Sequence, residues 1–269
     1  MEGVPPLESL IRVGAGYQAE VFAWDEGRVL RLAHRPDQRE ELERETAALA
    51  AAGRAGAPVP LVFERVDLDG RPGVVMERLD GEDLLFTLGH KPWRLPEIAW
   101  ALGRLHAELN SVHAPAELPP VHAWVRERLA SPLVPEDVRA RALARLEELP
   151  EGDRLGHFDF HPANVLGASG GYKVIDWPNA SRADPEADVA RTTMILLAAR
   201  APEHAPFVVR RLDPLGRRLL LRLYLRAYRR AQPLDDELVG RWRRVVAAVR
   251  LAENRPGERA WLLAEARGP

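Results

Sequence analysis

Apolar and β-prone residues dominate two early runs. Glu20-Val21-Phe22-Ala23-Trp24 and Arg28-Val29-Leu30-Arg31-Leu32-Ala33 both read as strands. Asp25-Glu26-Gly27 between them is a hairpin loop, with the glycine expected at positive φ. A helix is predicted from Pro36 to Ala52. Proline suits its first turn, acidic residues follow, and Gly53 is the stop signal. Two more strands, Leu61 to Val66 and Gly73 to Arg78, flank the turn Asp67-Leu68-Asp69-Gly70.

From Asp83 the period changes. Ile98, Ala101, Leu102, Leu105 and Leu109 form a helical stripe. Segments 121–131 and 135–149 are further helices, punctuated by Pro132, Pro135 and Pro150. A β interruption follows. It runs from Arg154 to Phe160, then through Asn164-Val165-Leu166, a turn at Ser169-Gly170-Gly171, and a return strand ending at Asp176. Helices are predicted over 185–200, 214–231, 235–254 and 257–266. Trp93, Trp100, Trp124 and Trp242 are core candidates. The fold class is therefore α+β, a small β-rich lobe with one helix before a larger helical lobe. A crevice between such lobes is a default small-molecule site.

Composition narrows the function classes. The 269 residues contain no cysteine, which excludes disulfides, thiolate catalysis and Cys-ligated metal. A formal net charge of −2 gives no global field for nucleic acid or anionic membrane, and neither partner is expected. The start of the chain lacks the basic and apolar regions of a signal peptide, and no apolar run is long enough to span a bilayer. A cytoplasmic location is expected. Arg218, Arg222 and Arg226 form a cationic stripe, read as a solvated helix face. Lysine occurs only at Lys91 and Lys173.

The chemistry concentrates in Gly156-His157-Phe158-Asp159-Phe160-His161-Pro162-Ala163-Asn164, followed by Ile175-Asp176-Trp177. The hairpin after Asn164 is expected to return Asp176 beside it. Hard oxygens from Asn164 and Asp176 suit Mg²⁺, leaving Asp159 to accept a proton from a hydroxyl. His157 and His161 also suggest a zinc pair, but Pro162 removes the helix face that pairing needs. Leu42, Glu45 and Leu49 share one helix face, so Glu45 needs a partner. Arg31, facing away from Leu30 and Leu32 on its strand, is the natural one. Gly14 and Gly16 lie in a glycine-containing loop expected to precede the first strand.

This pattern, Gly-His-x-Asp-x-His-Pro-x-Asn-Val-Leu followed by Ile-Asp-Trp, resembles the aminoglycoside phosphotransferase family of small-molecule kinases. Val29-Leu30-Arg31-Leu32, Glu45 to Leu49, Val75 to Gly81, Leu102 to His106 and Asp184 to Ala190 also match, in order. The resemblance covers about residues 10–200 and implies a protein kinase-like two-lobe fold, with an N-lobe over 1–78 and a C-lobe over 79–269. It implies ATP as donor, with GTP as an alternative, Mg²⁺ as cofactor and a small-molecule hydroxyl acceptor. Asp159 would be the catalytic base, and Asn164 and Asp176 the metal ligands. Arg31, Glu45, Gly14, Gly16 and the hinge residues Glu77 and Leu79 would bind nucleotide. His157 and Asp188 would support the catalytic loop.

The chain departs from protein kinases in three ways. Arg31 stands where they carry Lys, Trp177 without a following glycine replaces Phe-Gly, and only a short stretch separates Asp176 from the helix around Asp188, which leaves little room for an activation loop. The arginine leaves a second reading open, a nucleotide-binding pseudo-kinase or scaffold. A cationic acceptor would call for acidic side chains facing Asp159, with Asp235, Asp236, Glu237 and Glu253 as candidates.

Overall fold

The computed structural model describes residues 5–15, 19–198, 207–255 and 257–268. Strand β1 (Arg12–Ala15) is followed by β2 (Ala19–Ala23) and β3 (Arg28–Ala33). β2 and β3 pair antiparallel with Val21 opposite Arg31. The loop between them closes differently from the expectation: Gly27 has no positive φ. Instead the Asp25 carboxylate accepts the Gly27 N–H at 3.0 Å, an Asx-type turn.

Helix α1 spans Arg39–Arg54 and Pro36–Gln38 forms a separate 3₁₀ turn before it. Gly53 is a helical residue rather than the stop; the left-handed residue after the helix is Gly56, at φ 91°. Strands β4 (Val62–Leu68) and β5 (Arg71–Glu77) meet at a turn where Asp69 and Gly70 both have positive φ. The sheet order is β1-β2-β3-β5-β4. Its two faces hold separate cores. Phe22, Leu30, Leu32, Leu68 and Val75 pack on one, and Ala33, Val74 and Leu42 of α1 on the other. Alternation along β3 leaves Arg31 on the α1 side.

The chain divides into two compact units. The first comprises residues 1–82 and 166–178, the second 83–165 and 179–269. The hairpin of β7 (Val165–Ala168) and β8 (Gly171–Val174) thus gives most of its residues to the first unit. Backbone bonds fix it there. Val174 N–H donates to Pro58 O at 2.8 Å and Gly167 N–H to Glu82 O at 3.3 Å. Gly81 and Gly167 pack so closely that a Cβ on Gly81 would lie 2.1 Å from the Gly167 carbonyl oxygen.

In the second unit, α2 (Leu84–His90) starts at Asp83, whose carboxylate caps the Phe86 N–H at 2.8 Å. Helices α3 (Leu95–Ser111), α4 (Val121–Leu129) and α5 (Glu136–Leu146) follow. β6 (Arg154–Gly156) pairs antiparallel with β9 (Ser181–Ala183), a three-residue strand too short to leave a periodic signal. Then come α6 (Pro185–Ala198), α7 (Phe207–Ala231), α8 (Asp236–Leu251) and α9 (Arg259–Arg267). α7 starts earlier than predicted and carries Pro214 internally. α3 packs tightly on α7: a Cβ at Gly103 would sit 2.3 Å from the Tyr224 carbonyl oxygen. Trp124 and Trp242 are core residues, but Trp93 is 72% exposed, contrary to its reading as core. Among the described residues no helix is long and apolar enough to cross a membrane.

Candidate functional site

The chemically informative loop leaves β6 and is organised by one buried carboxylate. Asp188, in the first turn of α6, is fully buried. Its Oδ2 accepts His157 N–H at 2.7 Å, His106 Nε2 at 2.9 Å and Asn110 Nδ2 at 3.2 Å; Oδ1 accepts Phe158 N–H at 2.8 Å. Burial alone would raise this carboxyl. The charge and hydrogen bond of His106, with His157 behind them, outweigh burial and hold it down at about 2. The His106 ring is fixed in turn by the Tyr224 hydroxyl at 2.7 Å, and Asn110 by the Tyr228 hydroxyl at 2.9 Å.

Two bonds set the backbone of Phe158. Asp188 takes its N–H, and Arg191 Nε donates to its carbonyl at 3.1 Å. Phe158 is left-handed, at φ 58°, an uncommon conformation for an aromatic residue. That kink sets the direction in which the next residue, Asp159, leaves the loop. His157 Nδ1 accepts the Asp159 N–H at 3.1 Å, so this buried ring braces the loop. The Asp159 side chain remains 24% exposed.

Asn164 closes the loop. Its amide nitrogen donates to the Asp159 carbonyl at 2.9 Å and lies 3.4 Å from the Asp159 carboxylate. With the nitrogen engaged, the amide oxygen is the atom left to act as an acceptor. His161 Nε2 lies 3.8 Å from Asp159 Oδ2.

The first unit carries the other group of candidate residues. Arg31 Nη1 pairs with Glu45 Oε1, and Glu45 is only 4% exposed. Burial opposes the Arg31 charge, but Glu45 and then Asp176 more than compensate and raise its pKa above the ordinary arginine value. Asp176 itself follows β8 in the left-handed region, at φ 67°. Strand β3, helix α1 and the β8 end thus bring one cation and two carboxylates together. Glu77, at the end of β5, uses its side chain structurally. It takes Lys173 Nζ at 2.6 and 2.5 Å and Leu61 N–H at 3.0 Å, and these bonds hold its carboxyl below the usual range despite burial. Leu79 lies two residues beyond, half-buried. Gly14 sits inside β1, at a register shift, rather than in a loop before the first strand. Gly16 lies outside the described residues.

Asn164 in the second unit presents an amide oxygen and Asp176 in the first a carboxylate, each a hard donor of the kind that suits Mg²⁺. The zinc pair does not fit. His157 is wholly buried and its Nδ1 already accepts a backbone N–H.

Several supporting residues escaped the sequence reading. Arg191 is one; it lies one turn after Asp188 in a helix otherwise almost free of charge, which was the available signal. Asn110 is four residues after His106 and shares its face. Lys173 was noticed only as one of two lysines. The proposed acidic cluster does not exist as a unit. Asp235 caps the start of α8, Asp236 pairs there with Arg229, and Glu253 lies beyond the other end, paired with arginines. Sixteen helical residues separate those ends by about 24 Å.

A family model described as the phosphotransferase enzyme family (APH) matches residues 9–234. Among solved structures, a thermostable mutant of aminoglycoside phosphotransferase APH(4)-Ia is 17% identical, with a TM-score of 0.61 over 95% of this chain and 92% of that one. A choline/ethanolamine kinase family protein from Mesorhizobium loti is 18% identical, with a TM-score of 0.63 over 97% and 88%. A further mutant of the first protein, in ternary complex with AMP-PNP and hygromycin B, is 19% identical, with a TM-score of 0.54 over 97% and 95%. At such identities the likeness is one of fold. A search of curated proteins finds no match.

Proposed function

Because this chain belongs to the phosphotransferase enzyme family, we propose that it transfers the γ-phosphoryl group of ATP to a hydroxyl of a small molecule. A bond forms between the acceptor oxygen and the γ-phosphorus. The bond from that phosphorus to the β–γ bridging oxygen breaks, ADP leaves, and the hydroxyl proton passes to Asp159. The observation that carries this reading is the loop geometry. A partly exposed carboxylate stands on a backbone pinned by Asp188, Arg191 and His157, with Asn164 closing the loop beside it. Such pinning supplies the positioning on which phosphoryl transfer depends.

Arg31, oriented by Glu45, neutralises nucleotide phosphates, and its planar fork suits phosphate oxygens. The stretch from Glu77 to Leu79 supplies backbone groups to the adenine edge. With its carboxylate committed to Lys173 and Leu61, Glu77 takes part through its main chain. Gly14, at the register shift of β1, contributes its backbone to the phosphate side of the nucleotide. Asn164 and Asp176 would hold Mg²⁺, which supplies charge neutralisation of the phosphates when bound. His157 and Asp188 act through the loop, as positioning residues. Against the reading of a catalytically weak scaffold stands the Arg31–Glu45 pair, which keeps an oriented cation on the strand. An ATP-consuming reaction on a small molecule fits a cytoplasmic enzyme and needs neither nucleic acid nor membrane.

The test is ADP release from Mg·ATP across a panel of hydroxyl acceptors. Asp159→Asn is expected to lower turnover by about 10²–10⁴-fold with little change in nucleotide affinity. Turnover within a few-fold of the unmodified protein refutes the assignment.

A further inference from the structure

A chain of contacts leads from the Asp159 loop to the end of α8. Arg191, whose Nε holds the Phe158 carbonyl, pairs through its other end with Glu253. Glu253 also meets Arg250 at 3.2 Å and Arg255 at 3.7 Å. Arg250 forks onto Glu258 at 2.6 and 2.9 Å. Three guanidinium groups therefore stand against two carboxylates in one connected network. Arg191 and Arg250 are buried, but the Arg255 side chain is 62% exposed.

Contacts tie Arg255 through Glu253 and Arg191 to the carbonyl of Phe158, the residue before Asp159. The Asp159 carboxylate contributes to keeping Arg250 charged, after Glu258 and Glu253. The three arginines all act on His161, whose Nε2 is 3.8 Å from Asp159. Glu253, the nearest acidic candidate, is spent on arginines, and the other three candidates lie at the far end of α8.

From this juxtaposition we propose that the acceptor of the phosphotransferase reaction is an anion, a small hydroxyl compound bearing a carboxylate or phosphate that Arg255 receives. This rests on the phosphotransferase reading above and adds the acceptor class. Arginine's planar donors match either oxyanion, and Arg255 is the network member with donors open to solvent. A polycationic acceptor would meet the like charge of Arg255, with Glu253 already spent on arginines, which discriminates against it.

The test uses the full-length protein saturated with Mg·ADP, titrated calorimetrically with glycerol 3-phosphate, glycerate, glycerol and choline. One of the two anions is expected to bind at least tenfold tighter than glycerol or choline, and which one wins identifies the head group. Arg255→Glu is expected to weaken that anion at least tenfold, and Arg255→Gln by less. Arg255 is exposed, so neither substitution threatens folding, and a circular dichroism spectrum checks this. Tighter binding of choline, anion binding unmoved by Arg255→Glu, or no anion binding overturns the proposal. Failure of the phosphotransferase reading is seen separately, as ATP turnover that does not depend on Asp159.

Discussion

Replacing Asp188 by asparagine keeps the shape of the side chain and removes its charge and one acceptor oxygen. Four donors now converge on two oxygens: Phe158 N–H on one, and His157 N–H, His106 and Asn110 on the other. An asparagine that keeps its oxygen facing the three donors turns its NH₂ toward Phe158 N–H. That orphaned, fully buried donor costs about 1–3 kcal/mol. Each of the three surviving bonds loses its charge assistance, about 1 kcal/mol apiece. The expected loss is therefore about 4–6 kcal/mol, a large share of a typical stability of about 5–15 kcal/mol. Urea unfolding followed by tryptophan fluorescence measures it. Turnover should fall as well, because the left-handed Phe158 that aims Asp159 loses one of its two anchors. A pH arm isolates the charge. His106 and the loop N–H groups hold Asp188 down at about 2 in the folded protein, against an ordinary value of 3.8. Its ionic contribution, about 2 kcal/mol, is present above pH 4 and lost as pH falls through about 2. The stability gap between unmodified and Asp188→Asn protein should narrow over that window. A shift below about 1 kcal/mol at pH 7, with turnover unchanged, would refute the account of the loop.

Arg31→Met leaves Glu45 buried without its cation and should destabilise the protein by about 3–5 kcal/mol in urea unfolding. Adding Glu45→Leu should restore most of the stability but not Mg·ATP affinity, read by nucleotide titration. Gly81→Ala drives a methyl group into the Gly167 carbonyl and should lower stability by about 1–3 kcal/mol; no change in melting would contradict the close packing. Asp184 is raised to about 7, by burial first and then by the neighbouring Glu186 charge. The folded state thus favours its protonated form, so stability from this group is greatest at acid pH and declines as pH rises from about 4 through about 7. Asp184→Asn should flatten that decline in a melting-against-pH profile.

Legibility followed the reach of the interaction. The Arg31–Glu45 pair could be inferred because strand alternation and helix periodicity each put one charge on an apolar face, and buried charges need partners. Asp159, Asn164 and Asp176 are singled out by spacing and by the family resemblance. Contacts that depend on tertiary closure were not visible. β9 is too short to carry a period, and the Arg191–Glu253 pair spans 62 residues. Gly53 reads as a helix stop by local preference, yet the helix runs through it to Arg54 and reverses at Gly56. The acidic cluster failed for a geometric reason: residues close in sequence class were placed at opposite ends of one rigid helix.

The allegiance of the β7–β8 hairpin bears on the order in which the chain can fold as it is made. Lys173, the partner of Glu77, lies 96 residues later, and Pro58 waits for Val174. During synthesis the five-stranded sheet and α1 emerge first, but the Glu77 carboxylate, met by the Leu61 N–H, waits for the Lys173 cation until the first half of the second unit has followed. Translation at about 5–20 residues per second makes that delay about 5–20 seconds. A fragment ending at residue 82 therefore stays an incomplete unit, and a faithful dissection of this protein needs a permuted chain in which residues 166–178 are joined to the first eighty-two.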